Sequence, residues 1–384
     1  MIQATNQDVD HVEEAKLPRR DIFILPFLSV LTIAVCLSAS DLVARHYFST
    51  GGADTCKVDD NSIGFRYRPN CTERIKIAES PWVTNQYNEC GYRTKESCGP
   101  KPSGTTRIAL LGSSVSLGLY VNYEQTFATQ TAQELTRILH HPVEVQNLGR
   151  TNVSPISMFH QLDEALALKP DILIMAVDPY DIDHLDPADM PDRYKPIPPD
   201  SRFNADSPEY SRTLLKRIKG LVSESHLVTA MVHFLFQDSS KYLTVYLNYK
   251  DHADYLRPPL TTAWEKRLDA FDELLAEMAS KSNAVHVPFV LLETPSLAQA
   301  ALVKEPSPPA TLAPYDFNNR LQQIAMRHGV QFVSALSEIK DGPEPNQLFY
   351  VVDTHLNAEG EALVSRVLVE QLLKKQMPAL TSAQ

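Results

Sequence analysis

The chain has 384 residues, 43% hydrophobic and 22% charged, with a formal net charge of −11. That composition excludes a disordered chain and leaves room for one large domain or two ordinary ones. The acidic balance and the lack of a long basic run exclude nucleic acid as an expected partner.

In chain order, residues 1–21 are polar and read as a cytoplasmic tail. Ile22–Ser40 is the one long apolar stretch, nineteen residues without a charge, which is the length a helix needs to cross a bilayer. A transmembrane anchor over 22–44 is expected. Lys16, Arg19 and Arg20 precede it, so the positive-inside rule puts the N-terminus in the cytoplasm and the rest outside, a single-pass protein of the inner membrane with a periplasmic domain. The alternative is a signal peptide cleaved near Ser38-Ala39-Ser40. Lipoprotein attachment at Cys36 is disfavoured, because bulky Val35 stands where a small residue is needed.

Residues 45–105 read as a loop-rich segment holding Cys56, Cys71, Cys90 and Cys98. In an oxidising compartment these suggest two disulfides, for which three connectivities exist. Local pairing, Cys56 with Cys71 and Cys90 with Cys98, is the expectation. A zinc site is the weaker alternative, since no CxxC pair or histidine cluster accompanies them.

From Arg107 the pattern alternates between strands and helices, giving an expected domain over 106–376 and a tail over 377–384. Ile108–Leu111, Val143–Leu148 and Ile172–Val177 read as buried strands, with helices over Tyr123–Leu139 and Ile156–Ala167 between them. Strand signals return at Val285–Leu292 and Val330–Val333, with helices at Asp316–Arg327 and Ala358–Lys374. Such alternation predicts a doubly wound, three-layer α/β/α fold, flavodoxin-like with a mostly parallel sheet. About residues 181–281 the alternation lapses into a proline-rich and then helical insertion, in which Tyr242, Tyr246 and Tyr249 share a helical stripe. An aromatic stripe of this kind is ordinarily packing; the sharper reading is a lid or substrate platform.

Two segments carry chemistry. Gly112-Ser113-Ser114 lies where a strand passes into a helix, so Ser114 is lifted above the sheet edge where open α/β sheets bind ligands. Small residues at such a turn can also be turn chemistry alone. Asp353-Thr354-His355 precedes the final helix and offers what a serine nucleophile lacks, a base and a carboxylate to fix its tautomer. The bland reading is a helix cap beside a surface histidine. His140, His141, His160, His184 and His286 show no ligand spacing, and no metal or cofactor is indicated.

Together the two segments resemble the SGNH (GDSL-like) hydrolases, with a Gly-Asp-Ser turn after the first strand and an Asp-His motif before the last helix. The resemblance runs from Trp82 onward, through Thr84-Asn85 and Gly91-Tyr92-Arg93. It implies Ser114, Asp353 and His355 as a catalytic triad, with Ser113 in place of the aspartate. Asn147-Leu148-Gly149 matches the block whose glycine N–H lines the oxyanion hole, alongside the N–H of Ser114. The chain departs from the family at Asp178-Pro179-Tyr180-Asp181: Tyr180 stands where an asparagine donates to the oxyanion, and Asp178 where a glycine is usual. Losing one oxyanion donor costs about 10²–10³ in rate, unless Tyr180 or Asn152 replaces it. The closing motif is Asp-x-His where many members have Asp-x-x-His. The resemblance implies a serine esterase removing acetyl or other acyl groups from an extracytoplasmic glycan or small ester. An O-acyltransferase with the same triad and an inactive glycan-binding or scaffold protein are the alternatives.

Overall fold

A computed structural model of the chain describes residues 18, 20–52, 54–199, 225–248, 250–375, 377 and 380. Lys16, Arg19, Tyr249, residues 200–224 of the expected insertion and most of both expected tails lie outside the described residues.

The apolar stretch forms a helix over Asp21–Phe48 whose side chains are largely exposed. Among the described residues it is the one helix long and apolar enough to cross a membrane, a test that a signal sequence also passes. At 1.5 Å per residue its 28 residues span roughly 40 Å, more than a hydrocarbon layer of about 30 Å. Its last turns pack against the helix His226–Phe236. Asp41 anchors the start of that helix, accepting from Ser225 Oγ (2.7 Å) and the Leu227 N–H (2.9 Å).

The segment after this helix is more structured than the expected loop-rich preface. Strands β1 (Gly51–Gly52), β4 (Thr72–Lys76) and β5 (Val83–Gln86) form an antiparallel sheet in the order β1-β4-β5, and β2 (Lys57–Asp60) pairs with β3 (Gly64–Tyr67). The missed signal is a two-residue alternation: in β4, Glu73 and Ile75 point inward while Thr72 and Arg74 face solvent. Cys56–Cys71 and Cys90–Cys98 are the two disulfides, in the local pairing. Cys56, Tyr67, Ile75, Val83 and Tyr87 form a second small core, and two residues of the main domain, Leu117 and Leu119, complete it.

The main sheet comprises β6 (Thr106–Leu111), β7 (Val143–Asn147), β8 (Ile172–Val177), β9 (Phe289–Glu293) and β10 (Gln331–Ser334). Their order is β10-β9-β8-β6-β7 and every pairing is parallel. Strands β6 and β8 are buried at every residue, because helices cover both faces of the sheet. Phe127–Leu139 packs with Ala358–Lys374, and Thr262–Ala284 packs with Pro155–His160 and Asp316–Arg327. The chain runs outward from β6 to β7 and then crosses back to β8. The switch point therefore lies between β6 and β8, where doubly wound sheets bind ligands outside the carboxyl ends of their strands.

Several boundaries differ from expectation for local reasons. The first helix begins only at Phe127, because Thr126 is extended and its side chain accepts from the Thr129 N–H; Tyr123–Gln125 is a separate 3₁₀ turn. The helix expected over Ile156–Ala167 is two, Pro155–His160 and Leu162–Ala167, interrupted at Gln161. Thr262–Ala284 is the crossover helix between β8 and β9, so the alternation resumes at Thr262 rather than after 281. That helix consumes Val285 as its cap, and His286 turns the chain at φ 60°, which delays β9 to Phe289. A helix over Leu297–Lys304 went unexpected, although Ser296 and Gln299 form a capping box at its start.

Candidate active site

Strand β6 delivers the chain to Gly112 and Ser113, and Ser114 opens the short helix Ser114–Leu117. Glycine is required at 112: a Cβ there would collide with the Ser116 side chain and stand 2.9 Å from the Ala176 carbonyl of β8. The helix closes on Gly118 in the left-handed conformation (φ 67°). Arg93, only 2% exposed, grips this closing turn. Its guanidinium donates to the carbonyls of Leu117 (2.6 Å), Gly118 and Val121 (2.6 Å). The turn at Ser114 is thus fixed by the sheet on one side and by the disulfide-tied segment on another.

The second segment arrives from the other end of the domain. Tyr350–His355 is a tight loop in which the Tyr350 N–H donates to the His355 carbonyl (2.9 Å) and the Thr354 N–H to the Tyr350 carbonyl (2.6 Å). Thr354 sits at φ 74°, a conformation rare for a branched residue and found mostly where surroundings impose it. That turn brings Asp353 and His355 face to face, with Asp353 Oδ1 2.6 Å from His355 Nδ1. His355 Nε2 lies 2.7 Å from Ser114 Oγ. The final helix is capped by Asn357, whose side chain accepts from the Glu359 and Gly360 N–H groups. Asp353 is therefore free of capping duty.

Of the residues expected around an oxyanion, Gly149 is a correction. Its N–H donates to Asn147 Oδ1 (3.0 Å), and it is packed against the helix Ser114–Leu117, where a Cβ would meet the Leu117 nitrogen at 2.8 Å. Asn147 instead works through its side chain, with Nδ2 donating to the Ser116 carbonyl (2.8 Å). Asn152 does line the cavity beside Ser114 and adopts φ 50°. Tyr180 also lines the cavity; its ring lies 3.9 Å from that of His184 and is 58% exposed.

The cavity has a volume of about 500 Å³ and opens at the switch point between β6 and β8. Ser114, Asn152, Asp178 and His355 line it, as do Phe236, Tyr242 and Tyr246. Tyr242 is buried and stacks on Tyr246 (5.8 Å), so the tyrosine stripe both packs and faces the cavity. Tyr249 lies outside the described residues.

Asp178 and Asp181 both line the cavity. They form a reciprocal cap, the Asp181 N–H donating to Asp178 Oδ1 (2.8 Å) and the Asp178 N–H to Asp181 Oδ2 (3.1 Å). Burial, then the charge of Asp178, holds the Asp181 carboxyl well above the usual range, against hydrogen bonds that include one from Ser113. Burial likewise raises Asp178, against the neighbouring charge of His355. For His355 burial disfavours the imidazolium, but the hydrogen bond and charge of Asp353, joined by Asp178, outweigh it and raise the pKa above 6.5. A general base must be neutral, so the acid limb of kcat/KM is expected to fall above pH 6.5. Asp178→Asn keeps the cap and removes one negative neighbour, so His355 should lose its proton at lower pH and the limb should move to more acid values. A pH profile in which this variant's limb stays put or moves upward would contradict that assignment.

No family model and no curated protein matches the chain. Solved structures similar to it include a lipase/acylhydrolase from Enterococcus faecalis, at 12% identity and a TM-score of 0.38, covering 70% of this chain and 96% of that one. A psychrotrophic esterase from Pseudoalteromonas has 10% identity and a TM-score of 0.37, covering 70% and 98%. A GDSL-like lipase from Bacteroides thetaiotaomicron has 10% identity and a TM-score of 0.33, covering 70% and 89%.

Proposed function

We propose that the chain is a serine esterase that removes acetyl or other acyl groups from an extracytoplasmic glycan or ester through an acyl-serine intermediate. The observation that carries this reading is the unbroken line Ser114 Oγ–His355 Nε2 (2.7 Å) and His355 Nδ1–Asp353 Oδ1 (2.6 Å) at the switch point of the sheet. Ser114 attacks the acyl carbonyl while His355 takes its proton, then returns it to the leaving alcohol; Asp353 holds the imidazole in the required tautomer. Water, deprotonated by the same imidazole, releases the acid. The N–H of Ser114, with Asn152 or Tyr180, would hold the oxyanion. We read the Asp21–Phe48 helix as the anchor that keeps this site at the periplasmic face of the inner membrane, a reading supported by the packing of its last turns on the domain.

The aromatic wall of Phe236, Tyr242 and Tyr246 favours a second reading, transfer of the acyl group to a sugar hydroxyl, because such a wall excludes water. The decisive experiment incubates the full chain in detergent with a fluorophosphonate probe and, separately, with p-nitrophenyl acetate with and without an acceptor sugar. Covalent labelling at Ser114 and nitrophenol release indifferent to the sugar are expected. Acylated sugar in place of free acetate would favour transfer, and no labelling with glycan binding retained would replace both readings with an inactive binding protein.

A further inference from the structure

Glu79 lies in the turn between β4 and β5, before the point at which the family resemblance begins. The turn is fixed locally, with the Ser80 N–H donating to the Ile77 carbonyl (3.2 Å) and the Ile77 N–H to Ser80 Oγ (3.1 Å). The Glu79 side chain is only 3% exposed, and a carboxylate so buried needs strong partners. It has three. Glu79 Oε2 accepts from two successive backbone N–H groups of the catalytic loop, those of Val352 (2.8 Å) and Asp353 (3.2 Å). Its other oxygen, Oε1, lies 2.7 Å from His233 Nδ1.

His233 belongs to the helix that packs along the last turns of the N-terminal helix, and its ring lies 5.1 Å from that of Phe48. Gln237 Nε2 lies 3.2 Å from His233 Nε2. An amide nitrogen only donates, so Nε2 is the acceptor and Nδ1–H points at Glu79. The result is a continuous line from Phe48 through His233 and Glu79 to the backbone of Asp353.

The loop needs such a hold. Thr354 is in an unfavourable left-handed conformation, and the Asp353–His355 contact exists only while that turn persists. Two hydrogen bonds to one carboxyl oxygen from successive backbone N–H groups, at and just before Asp353, supply that hold. We propose that Glu79 is a positioning residue for the Asp353–His355 pair, held in place by His233 and so tied to the helix that packs on the N-terminal helix. The proposal rests on the reading of Ser114, Asp353 and His355 as the catalytic set.

Length of the side chain, rather than charge, should therefore decide activity. In Glu79→Gln one amide oxygen can still accept from both N–H groups, while the amide N–H faces His233 once the ring takes its other tautomer and the exposed Gln237 amide turns away from Nε2. Glu79→Asp keeps the charge but falls one methylene short. For the full chain in detergent, Glu79→Asp and Glu79→Ala should each lower kcat for p-nitrophenyl acetate by about 10–100-fold, the cost of a misplacement near 1 Å. KM should stay within about threefold, as an interaction felt mainly in the transition state requires. Glu79→Gln should recover most of the kcat. Equal kcat for Glu79→Asp and wild type, or a Glu79→Gln protein no better than Glu79→Asp, would overturn the proposal; these two variants decide it even if Glu79→Ala does not fold. A Ser114→Ala protein as active as wild type would sink the serine reading itself, whereas activity that depends on Ser114 yet ignores Glu79 sinks only this inference.

Discussion

Ser114→Ala and His355→Ala should each lower kcat for p-nitrophenyl acetate by about 10⁴–10⁶, and the double variant should be no slower than either one. The reasoning is that neither residue acts alone. A hydroxyl without a base is a poor nucleophile, and an imidazole without the hydroxyl has no proton to take. With Ser114 Oγ and His355 Nε2 2.7 Å apart, removing either one breaks the same proton path. What survives comes from ground-state binding and the remaining oxyanion donors, so the losses must not add. Both side chains are only half-buried and sit at the cavity surface, so thermal unfolding of the variants should stay close to that of wild type. The measurement is steady-state kinetics on full-length protein with a melting curve for each variant. Additive losses, or any single variant within about tenfold of wild type, would mean that the two residues do not form one catalytic unit.

What the sequence revealed of this site follows from which features are local. Strands β6 and β8 announce themselves because a parallel strand covered on both faces is apolar at every position. Ser114 and the Asp353–His355 pair stand out because each sits at the end of a strand or the start of a helix, where chemistry is displayed. Their meeting depended on strand order, which a single sequence does not encode directly; the family resemblance supplied it. The features that escaped depend on side chains turning back on the chain. Gly149 was expected to face the oxyanion, but the Asn147 amide folds over and takes its N–H, leaving Asn152 at the cavity. Asp353 and His355 meet through the backbone of Thr354, and nothing in threonine advertises a positive φ. Glu79 is invisible for the same kind of reason: one acidic residue in a polar turn looks solvated, and only the fold shows it buried against the catalytic loop.

Arg93 carries the largest expected effect on stability. Its guanidinium is buried and donates to three carbonyls at and just after the end of the helix Ser114–Leu117, while its own N–H donates to the Asn147 carbonyl (3.1 Å) and so holds it beside β7. Arg93→Met preserves much of the apolar stem and removes every side-chain donor. The Gly118 carbonyl keeps the Val121 N–H (3.1 Å), but those of Leu117 and Val121, on buried residues, lose a charged partner. Each carbonyl deprived in this way costs about 1–3 kcal/mol, so a loss of about 3 kcal/mol or more is expected, which for a domain of this size lowers Tm by roughly 6–12 °C. Glu361 adds to the cost. Burial pushes its carboxyl up to about 8, against the Phe127 N–H and the Arg93 charge that lower it; without Arg93 it should hold its proton to still higher pH. A folded pKa raised above the unfolded value gives stability that is complete below the unfolded pKa and is lost as pH rises through the folded one. Removing Arg93 raises that folded pKa further, so the loss runs on to higher pH and is larger in total; the deficit of Arg93→Met should therefore be larger when unfolding is measured near pH 9 than near pH 7, and present at both. Arg93→Lys, with one donor group on a shorter reach, should fall between the variant and wild type in both Tm and kcat. A melting temperature for Arg93→Met within about 2 °C of wild type would show that the turn after Ser114 holds itself, and that the disulfide-tied segment contributes nothing to it.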